Sequence, residues 1–334
     1  MLNDNARQNL EQFLRALREP SRIEPLTPDA STREYFRIGW ANKTAIACVY
    51  PEPFLPAEQT YLDVTNLFLI SSLPVAKIYD FDGSLGVIVL EDFGDSILRD
   101  VLEKADFQTK DELLNDAIKI IARIQAATAK AFELNSIASR LKFDEEKLLW
   151  ELNFFREHYF ETLKKQTLSE GDNHALDIEF TELARALDER AAVLCHRDFH
   201  AANLMIDGEN RLRIIDQQDA RIGAASYDLV SLLLDRVLET PDEDWLATKI
   251  RFLLAEREKL GLAKIDFDNF LEEFRLQTVQ RCLKAVGTFS FQSEMRGKIH
   301  FIPFIQPMFR IVMDAAKNLR RFPNLQKILK EQIL

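Results

Sequence analysis

The sequence predicts an α+β fold in two parts: a small lobe rich in antiparallel strands over residues 1–94, and a large, mostly helical lobe over 95–334. Three observations predict it. Before residue 94, runs rich in β-branched and aromatic residues alternate with turn clusters, the pattern of short strands joined as hairpins. From Ser96 onward apolar residues recur at three- and four-residue spacing, the pattern of helices with one buried face. That helical pattern is interrupted in the middle of the chain. There NLMI and RLRII flank Asp207-Gly208-Glu209-Asn210, a turn cluster of the kind that closes a hairpin.

Taken in order, Leu10, Phe13, Leu14 and Leu17 share one face of a first helix that starts near Asn3-Asp4-Asn5 and ends before Pro20. EYFRI and TAIACVY then read as strands joined by a turn containing Gly and Asn. A helix follows over 56–72. After Pro74, VAKIY and LGVIVL pair around Asp82-Gly83, and Glu91-Asp92-Phe93-Gly94 makes a turn with an acidic tip. Over 111–132, Leu114, Ala117, Ile118, Ile121 and Ile124 mark the main buried helix of the large lobe. The closing run KNLRRFPNLQKILKEQIL reads as one amphipathic helix.

Composition narrows the class. With 334 residues the chain can build two lobes, each with its own core, and 47% hydrophobic residues suit a water-soluble globule. A formal charge of −11 argues against binding nucleic acid or an anionic membrane surface, both of which require a basic stripe. The N-terminus MLNDNARQNL lacks the basic and apolar regions of a signal peptide. No apolar run approaches the roughly 20 residues of a membrane span. Cys48, Cys195 and Cys282 have no metal-ligand spacing, so a reduced, cytoplasmic protein is expected. Cys195 adjoins His196 but lies in an apolar run, and is read as core rather than as a nucleophile.

The chemistry concentrates in the central hairpin. Folding NLMI onto RLRII brings Asn203 and Asp216 to the same open end, and Asp198 lies just upstream on the entering loop. One amide and one carboxylate are hard oxygen donors suited to Mg²⁺, which keeps waters and shares its coordination with phosphates. A second carboxylate, Asp198, is left to orient a hydroxyl nucleophile. This is a phosphoryl-transfer constellation.

His196-Arg197-Asp198, followed after four residues by Asn203, resembles the catalytic loop of the protein-kinase-like superfamily, with Asp216 in the place of its second metal-binding Asp. His200, two positions after Asp198, replaces the lysine usual in protein kinases. No A-P-E segment follows, and Tyr227-Asp228-Leu229 resembles the aminoglycoside phosphotransferase and choline-kinase relatives. The resemblance implies a two-lobed protein-kinase-like fold, with ATP as phosphoryl donor and a small-molecule acceptor. Asp198 would be the base, and Asn203 and Asp216 the Mg²⁺ ligands. His196 would brace the loop, and Asp228 would cap the helix that follows and tie it to that loop. The first hairpin would cover the nucleotide phosphates through Ser31, Thr32 and Arg33, and the backbone of Glu91 and Phe93 would receive adenine.

In one respect the chain departs from the superfamily. TAIACVY carries no lysine, and the helix over 56–72 offers no clearly placed glutamate to pair with one. Either the protein is a non-catalytic member, or another cation reaches the phosphates, with Arg33 and Arg37 as candidates. Intact Asp198, Asn203 and Asp216 favour activity. A narrower resemblance, to bacterial anomeric N-acetylmuramate/N-acetylglucosamine kinases, rests on Ala30-Ser31-Thr32-Arg33-Glu34-Tyr35-Phe36-Arg37, on Leu90 to Asp95, and on Ile215 to Ala220. WELNFFREHYF and VQRCLKAVGTFSFQSEMRGKIHF share it, and members of that branch lack the lysine too. It implies an amino-sugar acceptor phosphorylated at O1, with Asp219, Glu157, Asp235, Arg281 and Lys284 as candidate sugar contacts. Kinases of an aminoglycoside or a choline-like molecule, and a regulatory kinase fold, are the alternatives.

Overall fold

The computed structural model describes residues 4–17, 22–26 and 33–333. The chain divides into two compact units. One comprises residues up to Asp106 together with Ala201–Asp219, the other Phe107–His200 and the chain from Ala220 onward. The α+β class holds: strands dominate the first unit and helices the second, and the hairpin that carries Asn203 and Asp216 falls with the strands.

In the first unit, α1 (Asp4–Leu17) precedes β1 (Ile23–Leu26), β2 (Glu34–Trp40) and β3 (Lys43–Val49). Then come α2 (Thr60–Ile70), β4 (Ile78–Asp82), β5 (Val87–Glu91) and α3 (Leu98–Lys104). The strands form one antiparallel sheet in the order β1-β2-β3-β5-β4. Both hairpins read from the sequence are present. β1 was not anticipated, because Pro25 lies inside it; an edge strand can accommodate a residue without an N–H, and Pro25 stands opposite Phe36. Strand alternation divides the apolar residues between two cores. Ala45, Ala47 and Val49 face Leu10, Phe13 and Leu14 of α1, whereas Cys48, Ile88 and Leu90 pack with Tyr61 of α2 and with Phe93.

The second unit begins with α4 (Phe107–Ala126), α5 (Thr128–Glu133), α6 (Ile137–Arg140) and α7 (Glu145–Arg156), which runs on as a π-helical segment over Glu157–Leu163. After α8 (Glu170–Asp188) and β6 (Val193–Cys195), the hairpin of β7 (Leu204–Ile206) and β8 (Leu212–Ile214) belongs to the first unit. β9 (Arg221–Gly223) returns to the second unit and pairs antiparallel with β6. The remainder is helical: α9 (Tyr227–Leu234), α10 (Glu243–Lys259), α11 (Phe267–Arg296), α12 (Ile305–Leu319) and α13 (Pro323–Lys330).

Carboxylate and hydroxyl caps start several of these helices. Asp144, Ser169, Asp242 and Asp266 each accept a backbone N–H from the first turn of α7, α8, α10 and α11. α11 runs for 30 residues, and it packs on α7, α9 and α12. Gly287 permits its approach to α7, for a Cβ there would stand 2.7 Å from Cα of Phe155.

Two expectations need correction. The helix expected over 111–132 is broken into α4 and α5, although Ala117, Ile118, Ile121 and Ile124 are all buried as foreseen. The single closing helix is two, because Arg320 and Phe322 take left-handed backbone angles (φ 55° and 61°) and Pro323 can only open a helix at that point. Among the described residues no helix is long and apolar enough to cross a membrane.

Candidate active site

The hairpin in the first unit does what its turn cluster implied. Leu204 pairs with Ile214, and the N–H of Ile215 donates to the carbonyl of Asn203 at 3.1 Å, so Asn203 and Asp216 occupy the same end. Asp216 has a left-handed backbone (φ 64°), a conformation that costs a non-glycine residue about 1–3 kcal/mol and persists only where neighbours over-determine it. Those neighbours are visible. The next residue, Gln217, is fully buried and donates from Nε2 to Oγ1 of Thr65 in α2 at 2.7 Å. Nε2 of Gln218 donates to Oδ1 of Asp216 at 2.9 Å, and Nη2 of Arg33 donates to the same oxygen at 3.0 Å.

Arg33 is set in an aromatic frame, its guanidinium carbon 5.7 Å from the ring centre of Tyr35 and 5.8 Å from that of Tyr50. It helps line a cavity of about 410 Å³ together with Tyr50, Phe54, Gln59, Gln218 and Asp219. Ser31 and Thr32 lie outside the described residues. Arg37 is placed differently. Its Nε donates to Oδ2 of Asp92 at 2.8 Å and its Nη2 to Oδ1 of Asp95 at 2.7 Å, so this arginine ties β2 to the turn after β5. Arg213, which sequence reasoning overlooked, braces the same turn. It donates to Glu91 at 3.0 Å, and its guanidinium carbon lies 4.0 Å from the ring centre of Phe93. The amide of Glu91 donates to the carbonyl of Lys77 at 2.9 Å.

In the second unit, β6 delivers His196, Arg197 and Asp198. Asp228 is buried and accepts the N–H groups of His196 and Arg197, at 2.7 and 3.0 Å. Burial pushes the Asp228 carboxyl up to about 7, although those two hydrogen bonds act in the other direction. It ties α9 to the loop as expected, but it does not cap the helix: Ser226 holds the N-cap position and Asp228 is the second helical residue. Arg197 is left-handed at φ 84°, a second backbone outlier beside a candidate residue. His196 is fully buried with its ring edge-on to Phe199, in keeping with a bracing part.

Asp198 stands among cations. Lys284 Nζ lies 3.4 Å and Arg281 Nη2 3.6 Å from its Oδ1, while Arg197 Nε lies 3.8 Å from Oδ2. Burial alone would raise the Asp198 carboxyl, yet Lys284, Arg197 and Arg281 outweigh it and hold the group far below the usual carboxylate range. Of the five candidate acceptor contacts, Arg281 and Lys284 therefore meet Asp198 directly. Asp235 is ion-paired with Arg236 at 3.1 Å, Glu157 is exposed on the π-helical segment, and Asp219 belongs to the cavity of the first unit. A buried chain from Gln277 through Gln280 to Glu151 was not legible, since polar residues on a helix ordinarily read as a solvated face.

The donor set fits Mg²⁺. Asn203 and Asp216 offer hard oxygens, and the Asp216 side chain is 39% exposed. Among the described residues no cluster of three or more His, Cys, Asp or Glu side chains could cage an ion. One or two protein oxygens with the remaining coordination left to water and phosphate is the arrangement Mg²⁺ favours.

The chain is 28% identical over 306 residues to an N-acetylmuramate/N-acetylglucosamine kinase of Neisseria meningitidis, covering 91% of this chain and 89% of that one. It is 27% identical to a protein of the same name from Pseudomonas aeruginosa, covering 93% and 88%. Among solved structures, choline kinase LicA from Streptococcus pneumoniae superposes with a TM-score of 0.60 at 14% identity, over 92% of this chain and 99% of that one. The gentamicin–APH(2")-IIa complex gives 0.61 at 13% identity, over 98% and 99%. These two likenesses establish the protein-kinase-like fold. The model of the phosphotransferase enzyme family matches residues 22–263, and with that match this kinase-fold chain is a member of the phosphotransferase enzyme family.

Proposed function

We propose that the protein transfers the γ-phosphoryl group of ATP to O1 of an N-acetylated amino sugar, N-acetylmuramate or N-acetylglucosamine. The observation that carries the reading is a carboxylate at Asp198, kept ionised by surrounding cations, followed after four residues by Asn203 and then by Asp216 across a hairpin. In this reading Asp198 accepts the proton of the sugar hydroxyl as its oxygen bonds to phosphorus, and the bond from phosphorus to the β-phosphate oxygen breaks with its electron pair on ADP. Asn203 and Asp216 would hold Mg²⁺, which supplies charge neutralisation at the phosphate oxygens. Arg33 is the cation that stands in for the absent lysine, since it is poised at Asp216 while Arg37 is committed to Asp92 and Asp95. Adenine would meet the carbonyl of Glu91 or the backbone of Phe93. Residues 1–94 would cover the nucleotide and 95–334 would carry the acceptor. Cys48, Cys195 and Cys282 are buried free thiols, which supports a cytoplasmic setting.

The amino sugar is preferred to the cationic alternatives on charge. A choline-like or aminoglycoside acceptor would bring positive charge toward Asp198, where Arg281, Lys284 and Arg197 already stand. The test is ADP release with MgATP and a panel of N-acetylmuramate, N-acetylglucosamine, other hexoses, choline and aminoglycosides. Turnover confined to the N-acetyl amino sugars supports the reading. Turnover on choline or an aminoglycoside alone overturns the acceptor assignment, and MgATP binding without any turnover favours the regulatory alternative.

A further inference from the structure

Two cations converge on one oxygen of Asp198, and they are held differently. Lys284 and Arg281 lie three residues apart on α11, so they project from one face of that helix. Arg281 is 5% exposed, and its Nε donates to Oγ of Ser231 in α9 at 3.0 Å, which fixes the guanidinium. The ammonium of Lys284 makes no hydrogen bond or ion pair other than that to Asp198 among the described residues, and it ends a flexible four-carbon stem. Glu151, Arg281, Arg197 and Lys147 are further charges that act on it. Two positions after Asp198 stands His200, whose imidazole burial pushes down toward the neutral form, so the cation that the loop itself sets beside Asp198 is Arg197.

Phosphoryl transfer changes what these cations face. Before transfer the negative charge sits on Asp198. Once Asp198 has taken the acceptor proton it is neutral, and the charge resides on the acceptor oxygen and the phosphoryl oxygens around it. A hydroxyl that gives its proton to Asp198 must come within about 3 Å of that carboxylate. A lysine 3.4 Å from the same carboxylate oxygen then needs only a rotamer change to follow the charge, whereas an arginine anchored on Ser231 stays in place.

Resting on the phosphotransfer reading above, we propose that Lys284 is a catalytic residue: its ammonium pairs with Asp198 at rest and moves onto the acceptor and phosphoryl oxygens as Asp198 takes the proton, while Arg281 keeps the carboxylate positioned. Arg281 acts through Asp198 and is a positioning residue.

The test uses the full chain with MgATP and each N-acetyl amino sugar, comparing Lys284→Met, Lys284→Gln and Lys284→Arg. We expect Lys284→Met to lower kcat about 100-fold, the scale of one lost donor to developing charge. The KM for the acceptor and the affinity for MgATP should stay within about threefold, and Lys284→Arg should recover part of the rate. Lys284→Gln repeats the measurement without a long apolar side chain, so that a folding defect confined to the Met variant is recognised. A kcat within about threefold of the unaltered protein in both neutral variants would overturn the role. So would a loss confined to KM for the carboxylate-bearing N-acetylmuramate, which would make Lys284 an acceptor contact instead. An unaltered protein that turns over no acceptor would overturn the phosphotransfer reading itself, a result distinct from normal turnover indifferent to Lys284.

Discussion

Asp216 in the first unit and Asp198 in the second are both carboxylates beside arginine, yet they are held in opposite ways. At Asp216 one oxygen is fixed by directional hydrogen bonds of 2.9 and 3.0 Å from Gln218 and Arg33, on a strained backbone that Gln217 anchors to α2. At Asp198 three cations stand off at 3.4 to 3.8 Å. Short directional contacts fix geometry, which suits a group that must present an oxygen in one direction. More distant charges keep a carboxylate ionised and can be exchanged for a substrate. The same residue type is thus prepared for two tasks by the distance and pinning of its partners.

The largest effect that would sharpen this contrast is at Asp198. Asp198→Asn should lower kcat by about 10²- to 10⁴-fold, the range for a lost general base, with MgATP affinity preserved in equilibrium binding. Equal loss of affinity and rate would break the separation of the two carboxylates. Arg37→Met comes next and should act on stability. It leaves Asp92 without its arginine but still with the Gly94 N–H, and losing a charge-assisted hydrogen bond of a part-buried pair costs about 1.5–3 kcal/mol. Thermal unfolding should show a lower Tm, with nucleotide affinity per folded molecule little changed.

Arg33→Met should do the reverse. It should weaken MgATP by about 10- to 100-fold, the equivalent of about 1.5–3 kcal/mol for a charge-assisted hydrogen bond, with a modest change in Tm. If the two arginine variants exchange phenotypes, Arg37 is the phosphate ligand. Gly287→Ala tests the support behind Asp198. A Cβ 2.7 Å from Cα of Phe155 must displace α11 from α7, at a cost of about 1–3 kcal/mol. It should also lower kcat more than KM, because Arg281 and Lys284 ride on α11.

The smallest effect is in the pH profile, and its sign is set by the cations. Asp198 is held far below the usual carboxylate range, so kcat/KM should stay flat on the acid side until the fold itself fails. Burial lowers Lys284 from the ordinary lysine value. As pH rises the ammonium is lost, so activity should fall along an alkaline limb that begins below the range of an exposed lysine. In Lys284→Met the alkaline limb should vanish, and an acid limb should move up toward neutrality because Asp198 has lost a cation. An unchanged profile in that variant would show that Lys284 does not set the charge state of the site.

Local sequence was enough to specify the two hairpins of the sheet, the central hairpin and the helical character of the second unit. These are written in local periodicity and turn chemistry, which act over a few residues. It also singled out Asp198, Asn203 and Asp216, because their spacing on one hairpin and its entering loop is short-range information. Edge strand β1 was hidden by Pro25, which only an edge can tolerate, and the break between α12 and α13 lay in two left-handed residues that propensity does not announce. Tertiary structure alone decided which arginine meets which acid. Arg33 and Arg37 are four positions apart near one hairpin, yet one reaches Asp216 and the other Asp92 and Asp95. It likewise brought Arg281 and Lys284 to Asp198 from more than eighty residues away. Charges act through space, so a partner far along the chain leaves no local signature, and its role becomes visible only once packing has fixed the distance.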